Sequence, residues 1–163
     1  MKKVAELIRE DPGFKVNKEL DGGGGLSLLH YAGSPVIPLL LAHPDIDVNV
    51  KNVIGETPFF IACLNGRTSC VREMLKDSRV KLNEPNKNGN TPLWYAADRQ
   101  YLSIRWWIAS GREMDLGIPG DGKTDAIGTN KWTKTEVVPL LQRFKSDPTK
   151  TRSEVRKQLG IKG

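Results

Sequence analysis

Cysteine is scarce in this chain. Cys63 and Cys70 are the two present, too few for a disulfide framework, and Cys63 stands where a small apolar residue would pack, so a reduced and buried thiol is expected. Histidine is equally scarce, with His30 and His43. Together these residues offer four soft donors, none at Cys-x-x-Cys or His-x₃-His spacing, so no metal site and no cofactor are expected. No apolar run reaches the roughly 18 residues a membrane-spanning helix needs. The opening Met1-Lys2-Lys3-Val4-Ala5-Glu6 turns acidic where a secretory signal would turn apolar. These absences point to the cytoplasm or nucleus.

Charge is present but uneven. The formal net charge is +6. From Lys131 onward there are nine Lys or Arg against three Asp or Glu, while residues 1–130 balance at 16 of each. The basic character belongs to the C-terminal segment, so one alternative function is binding of nucleic acid or another acidic surface through residues 131–163. Asp147 and Glu154 interrupt that run, and Trp132 is the one aromatic among its Lys131 and Lys134 neighbours. A solvated basic cap is the competing meaning.

The strongest positive signal is repetition. Thr57-Pro58-Phe59-Phe60-Ile61-Ala62-Cys63 returns 34 residues later as Thr91-Pro92-Leu93-Trp94-Tyr95-Ala96-Ala97. Weaker copies lie at Ser27-Leu28-Leu29-His30-Tyr31-Ala32 and at Thr124-Asp125-Ala126-Ile127. A fixed period near 33 residues means one supersecondary unit copied along the chain. In residues 53–86 Gly55 permits a turn, and Thr57 caps a first helix with Pro58 at its first position. Phe59, Ala62 and Cys63 give one apolar stripe, Asn65-Gly66 breaks the helix, and a second helix buries Val71, Met74 and Leu75. Residues 87–119 repeat the layout with Leu93, Ala96 and Ala97, then Leu102, Ile104, Trp107 and Ile108. The unit at 22–52 has a shortened first helix and a Pro38 near the start of its second. In the unit at 120–147 the second helix, Val137 to Phe144, is the convincing part. Residues 1–21 match the second half of a unit, and residues 148–163 read as a basic C-terminal capping helix.

The phrase Thr91-Pro92-Leu93-Trp94-Tyr95-Ala96-Ala97 resembles that of the ankyrin repeat, Thr-Pro-Leu-His-x-Ala-Ala, and the resemblance extends over roughly residues 4–147. It implies an all-α, ankyrin-like solenoid of about four helix-turn-helix repeats with short hairpin fingers and half-repeat caps. It further implies a monomeric, non-catalytic protein–protein interaction scaffold whose contacts lie on the finger tips and the concave face of the inner helices. Carried onto this sequence, the finger contacts are Ile54, Glu56, Lys87, Asn90, Asp121 and Lys123. The concave contacts are Tyr31, Ile61, Leu64, Tyr95, Asp98 and Arg99. His30 falls on the family's histidine and takes a structural role. Phe60 and Trp94 occupy that same place in their own units and are read mostly as packing. Trp106 faces outward beside the inward Trp107, either as a second contact surface or covered by the adjoining outer helices. Nothing in these positions names the partner.

One rival motif is dismissed on context. Gly117-Ile118-Pro119-Gly120-Asp121-Gly122-Lys123-Thr124 fits the phosphate-loop pattern letter for letter, yet no apolar strand precedes it and too little chain follows to build a parallel sheet. In the repeat frame the same letters form a finger. Gly22-Gly23-Gly24-Gly25 likewise reads as a finger turn rather than a phosphate cradle.

Overall fold

The computed structural model describes residues 6, 8–11, 13–20, 23–99, 102–116 and 137–161. The described residues are helical apart from turns and one isolated bridge between Glu19 and Ser27. The helices α1 (Leu28–Tyr31), α2 (Ile37–Leu41), α3 (Pro58–Leu64), α4 (Thr68–Leu75), α5 (Pro92–Asp98), α6 (Ser103–Ser110), α7 (Val137–Ser146) and α8 (Pro148–Gln158) follow in chain order. Residues 6 and 8–10 are helical ahead of them.

Local chemistry sets the helix starts. Thr57 Oγ1 accepts from Phe60 N and Thr91 Oγ1 from Trp94 N, each at 3.1 Å, with Pro58 and Pro92 where the missing N–H costs nothing. At Ser27 the same task falls to a capping box closed by His30. The α1 helix has four residues where α3 and α5 have seven, the shortening expected from Gly33-Ser34-Pro35. The apolar stripes lie inward as their spacing predicts: Phe59, Ala62, Cys63, Leu93, Ala96, Ala97, Val71, Ile104, Trp107 and Ile108 are all buried. Leu102 departs from its predicted stripe and is 51% exposed. It stands at the N-cap of α6, before the helix has turned its side chains inward.

Two rows of helices result. The inner helix α3 packs between α1 and α5, and the outer helix α4 between α2 and α6. The next neighbour of α6 along the outer row is α8, which in turn pairs with α7. The helix beside α6 is therefore α8, where the 33-residue frame put Val137 to Phe144. Repeat arithmetic carried past Ile104 assumes a unit of ordinary length, whereas α7 and α8 follow one another like an inner and an outer helix. The stripe Val137, Leu140, Leu141 and Phe144 and the buried Thr151 and Val155 close this last pair.

Side chains tie each unit to the next. Asn17 Nδ2 donates to Asp45 O and its Oδ1 accepts from Asp47 N. Asn49 does the same with Arg79 O and Lys81 N, and Asn83 Oδ1 accepts from Asp115 N. Arginines close the helix ends, where carbonyls lack partners and a cation is favoured. Arg67 donates to the carbonyls of His30, Tyr31 and Ala32 at the end of α1. Arg79 reaches Leu41 O at 2.6 Å. Arg112 reaches Leu75, Asp77 and Val80, while Arg152 and Arg156 reach Ile108 and Ala109 at the end of α6.

Candidate functional site

The fingers are built from asparagine turns. Asn52 Oδ1 accepts from Ile54 N at 3.1 Å and Glu56 N at 2.8 Å, and Asn86 Oδ1 accepts from Asn88 N and Asn90 N at 3.0 Å each. The first finger uses Glu19 instead, whose Oε1 accepts from Gly23 N and Gly25 N. These two backbone bonds hold its carboxyl below its ordinary value. Neighbouring fingers join through Val53 N to Gly24 O and Lys87 N to Ile54 O, each at 3.0 Å. Gly55 has φ +80°, and a Cβ there would meet Lys87 N at 3.1 Å, so glycine answers both the turn and the close approach of the next finger.

This scaffold sorts the predicted finger residues. Ile54 is 49% exposed and Lys87 is exposed, both at the tip. Glu56 and Asn90 are buried and bond within their own units: Glu56 Oε1 accepts from Asn52 Nδ2 at 3.0 Å, and Asn90 Nδ2 donates to Tyr95 Oη at 3.1 Å. They build the fingers and offer no free contact. Asp121 and Lys123 lie outside the described residues, with the rest of the phosphate-loop-like stretch from Gly117 onward. Val53, 51% exposed beside Ile54, was missed by sequence reasoning. Two adjacent β-branched residues in a turn that feeds no core were the available signal.

On the inner helices Tyr31 is 53% exposed at the end of α1, Ile61 and Leu64 are half-buried on α3, Tyr95 and Asp98 half-buried on α5, and Arg99 is exposed just past α5. The two tyrosines are held by neighbouring groups. Arg67 fixes the carbonyl of Tyr31. The Tyr95 ring stands edge-on to Phe60 at 5.6 Å and to Trp94 at 5.0 Å, so three aromatics of two repeats form one rigid ledge. His30, buried beneath, accepts from Ser27 N at Nδ1 and so donates from Nε2 to Glu56 O at 2.9 Å, locking the first two units together.

The Cys63 thiol is pushed far up by complete burial, and burial also raises Cys70; neither is a thiolate nucleophile. Among the described residues no three of His, Cys, Asp or Glu gather to hold a metal ion, and no helix is long and apolar enough to cross a membrane. The surface can present an apolar and aromatic strip of fixed shape with a cation at its edge.

Stacked helix pairs, projecting fingers and a rigid inner face define a repeat-built helical solenoid. The sequence profile described as "Ankyrin repeats (3 copies)" matches residues 26–117, and the chain belongs to the ankyrin-repeat family. Such repeats are generally protein–protein interaction modules and typically non-catalytic. The crystal structure of EF0377, an ankyrin repeat protein, superimposes with a TM-score of 0.73 at 23% identity, over 96% of this chain and 91% of that one. Alpha-latrocrustotoxin-Lt1a of Latrodectus tredecimguttatus is 29% identical over 92% of this chain. The SMC5-SMC6 complex localization factor protein 1 of Homo sapiens is 39% identical over 40% of it. The chain spans 10% of the toxin's length and 6% of the localization factor's.

Proposed function

We propose that the chain is a non-catalytic recognition module that holds a partner protein across its finger tips and concave face. The carrying observation is that Val53, Ile54 and Tyr31 are about half exposed on a frame whose turns and helix ends are hydrogen-bonded internally. Large apolar groups left outside on a rigid support are the usual source of binding energy in an interface. The contacts are Val53, Ile54 and Lys87 at the fingers, and Tyr31, Ile61, Leu64, Tyr95, Asp98 and Arg99 on the inner face. In this reading the module acts as a monomer inside the cell.

Recognition of nucleic acid through residues 131–163 finds less support. Arg152 and Arg156 are engaged with carbonyls of α6, so two of the cations counted for that role hold the fold together. Lys131, Lys134 and Lys162 lie outside the described residues.

The test is affinity capture from a lysate at moderate salt with the wild-type chain and with Tyr31→Ser/Ile54→Ser/Arg99→Ala. These side chains are exposed, so folding should survive, as a melting curve will verify. A discrete protein held by the wild type and lost by the folded variant supports the proposal. Recovery dominated by nucleic acid and insensitive to the variant refutes it.

A further inference from the structure

The outer row carries a groove unlike the concave face. It lies between α4, α6 and α8, has a volume of about 320 Å³, and is lined by Arg72, Leu75, Lys76, Trp106, Arg156 and Ile161 among others. Leu75 is buried, and Trp106 and Ile161 are partly buried against the core, so the floor is apolar and fixed. The charged groups lining it are all cations, of which Lys76 is paired with Glu73 at 3.0 Å, a carboxylate that is not itself part of the lining. The Arg72 guanidinium lies 3.9 Å above the centroid of the Trp106 ring, which holds both in place. Arg156 is oriented by its donation to Ala109 O at 2.8 Å. An adjoining hollow of about 410 Å³ shares Arg156 and Ile161 and adds Arg152 and Lys157, continuing the positive rim along α8.

We infer that this groove is a second interaction surface, one that takes an acidic peptide carrying an aliphatic side chain. The apolar floor accepts the aliphatic group, and the rim of Arg72, Arg156 and Lys157 faces carboxylates on either side of it. Charge complementarity selects the partner's sign, and the partly ordered arginines lower the cost of binding it. A peptide fits better than nucleic acid on two counts. One face of Trp106 is already covered by Arg72, which denies a base that stacking surface. The cations surround an apolar pit instead of forming a stripe that could follow a phosphate backbone.

The probes are fluorescein-labelled peptides in which leucine alternates with aspartate and glutamate at spacings of two, three and four residues, read by fluorescence anisotropy. Binding is expected for at least one spacing, weakening as salt rises, and falling about tenfold or more in Arg72→Glu/Lys76→Glu. Both substituted residues are exposed, and Arg72→Glu alone serves should the pair disturb folding. The Trp106 indole N–H resonance, assigned with Trp106→Phe, should shift on binding, while Tyr31→Ser/Ile54→Ser should leave the affinity unchanged. A lysine–leucine peptide should bind the charge-reversed variant and not the wild type. Absence of binding at every spacing, indifference to charge reversal, or equal binding when serine replaces leucine would overturn the inference. Displacement by a single-stranded oligonucleotide at lower concentration than by the peptide would do so as well, assigning the patch to phosphate.

Discussion

The Tyr95 hydroxyl accepts a hydrogen bond from Asn90 Nδ2 at 3.1 Å, tying the concave face of one repeat to its own finger. Asn90 is in turn held from behind, because its backbone N–H donates to Asn86 Oδ1. The finger turn and the aromatic ledge are therefore one rigid body, and their relative position is fixed before any partner arrives.

Tyr95→Phe keeps the ring against Phe60 and Trp94 and removes the link. The expected cost to folding is about 1 kcal/mol, that of one neutral hydrogen bond with a buried donor left over. Tyr95→Ala opens the ledge and should cost more, about 2 kcal/mol or above. Chemical denaturation of the two variants checks the order. An alanine variant as stable as the wild type would show that the ring carries no packing.

Arg112 closes three carbonyls of the preceding unit, those of Leu75, Asp77 and Val80. Arg112→Ala should lower stability by about 1–3 kcal/mol, since partly buried acceptors lose a charged donor. Arg112→Lys should restore only part of this, because one ammonium cannot reproduce the guanidinium fork. Full rescue by lysine would mean that charge near the helix end is what counts, with the geometry irrelevant.

The Asp77 carboxyl is held below its ordinary value of 3.8, first by the side-chain hydrogen bonds of Arg79, with the Arg79 backbone N–H and the charges of Arg79 and Arg112 adding to this against a smaller effect of burial. A depressed folded-state value adds stability that is complete above the unfolded pKa and is lost as pH falls through the folded one. The melting-temperature gap between wild type and Asp77→Asn should therefore be widest at neutral pH and shrink as the pH falls below about 4. A gap that stays constant across that window would remove the carboxylate from the stability of this turn.

Cys63 is 1% exposed, and Cys70 donates its thiol to Ala32 O at 3.6 Å. Alkylation followed by mass spectrometry should leave Cys63 unmodified in native protein at mildly alkaline pH and modify both thiols in denaturant. Rapid labelling of Cys63 in the native state would show that the core between the first units opens easily.

The sequence made the central units legible because period and chemistry agree there. Thr57 and Thr91 cap, Pro58 and Pro92 follow, and the stripes headed by Phe59 and Leu93 can face only inward. It failed where a distance between units decides the outcome. Glu56 and Asn90 look like polar finger tips until Asn52 and Asn86 fold the turn back over them. Val53 was passed over because it lies next to Ile54 in the turn and outside the apolar stripes, and the finger leaves it exposed. The last helix pair escaped because counting 33 residues from Ile104 assumes an ordinary unit, whereas packing sets α8 beside α6. The five arginine clamps read as surface charge in one dimension, since their acceptors lie 32 to 47 residues away.

The most direct measurement of the proposed function is site-specific photocrosslinking to the captured partner. A photoreactive phenylalanine would be placed at Ile54 on a finger, at Tyr31 on the inner face, and at Gln142, exposed on α7. The predicted result is a crosslinked partner from Ile54 and Tyr31 and none from Gln142. Crosslinking from Gln142 alone would contradict it and move recognition to the other side of the stack.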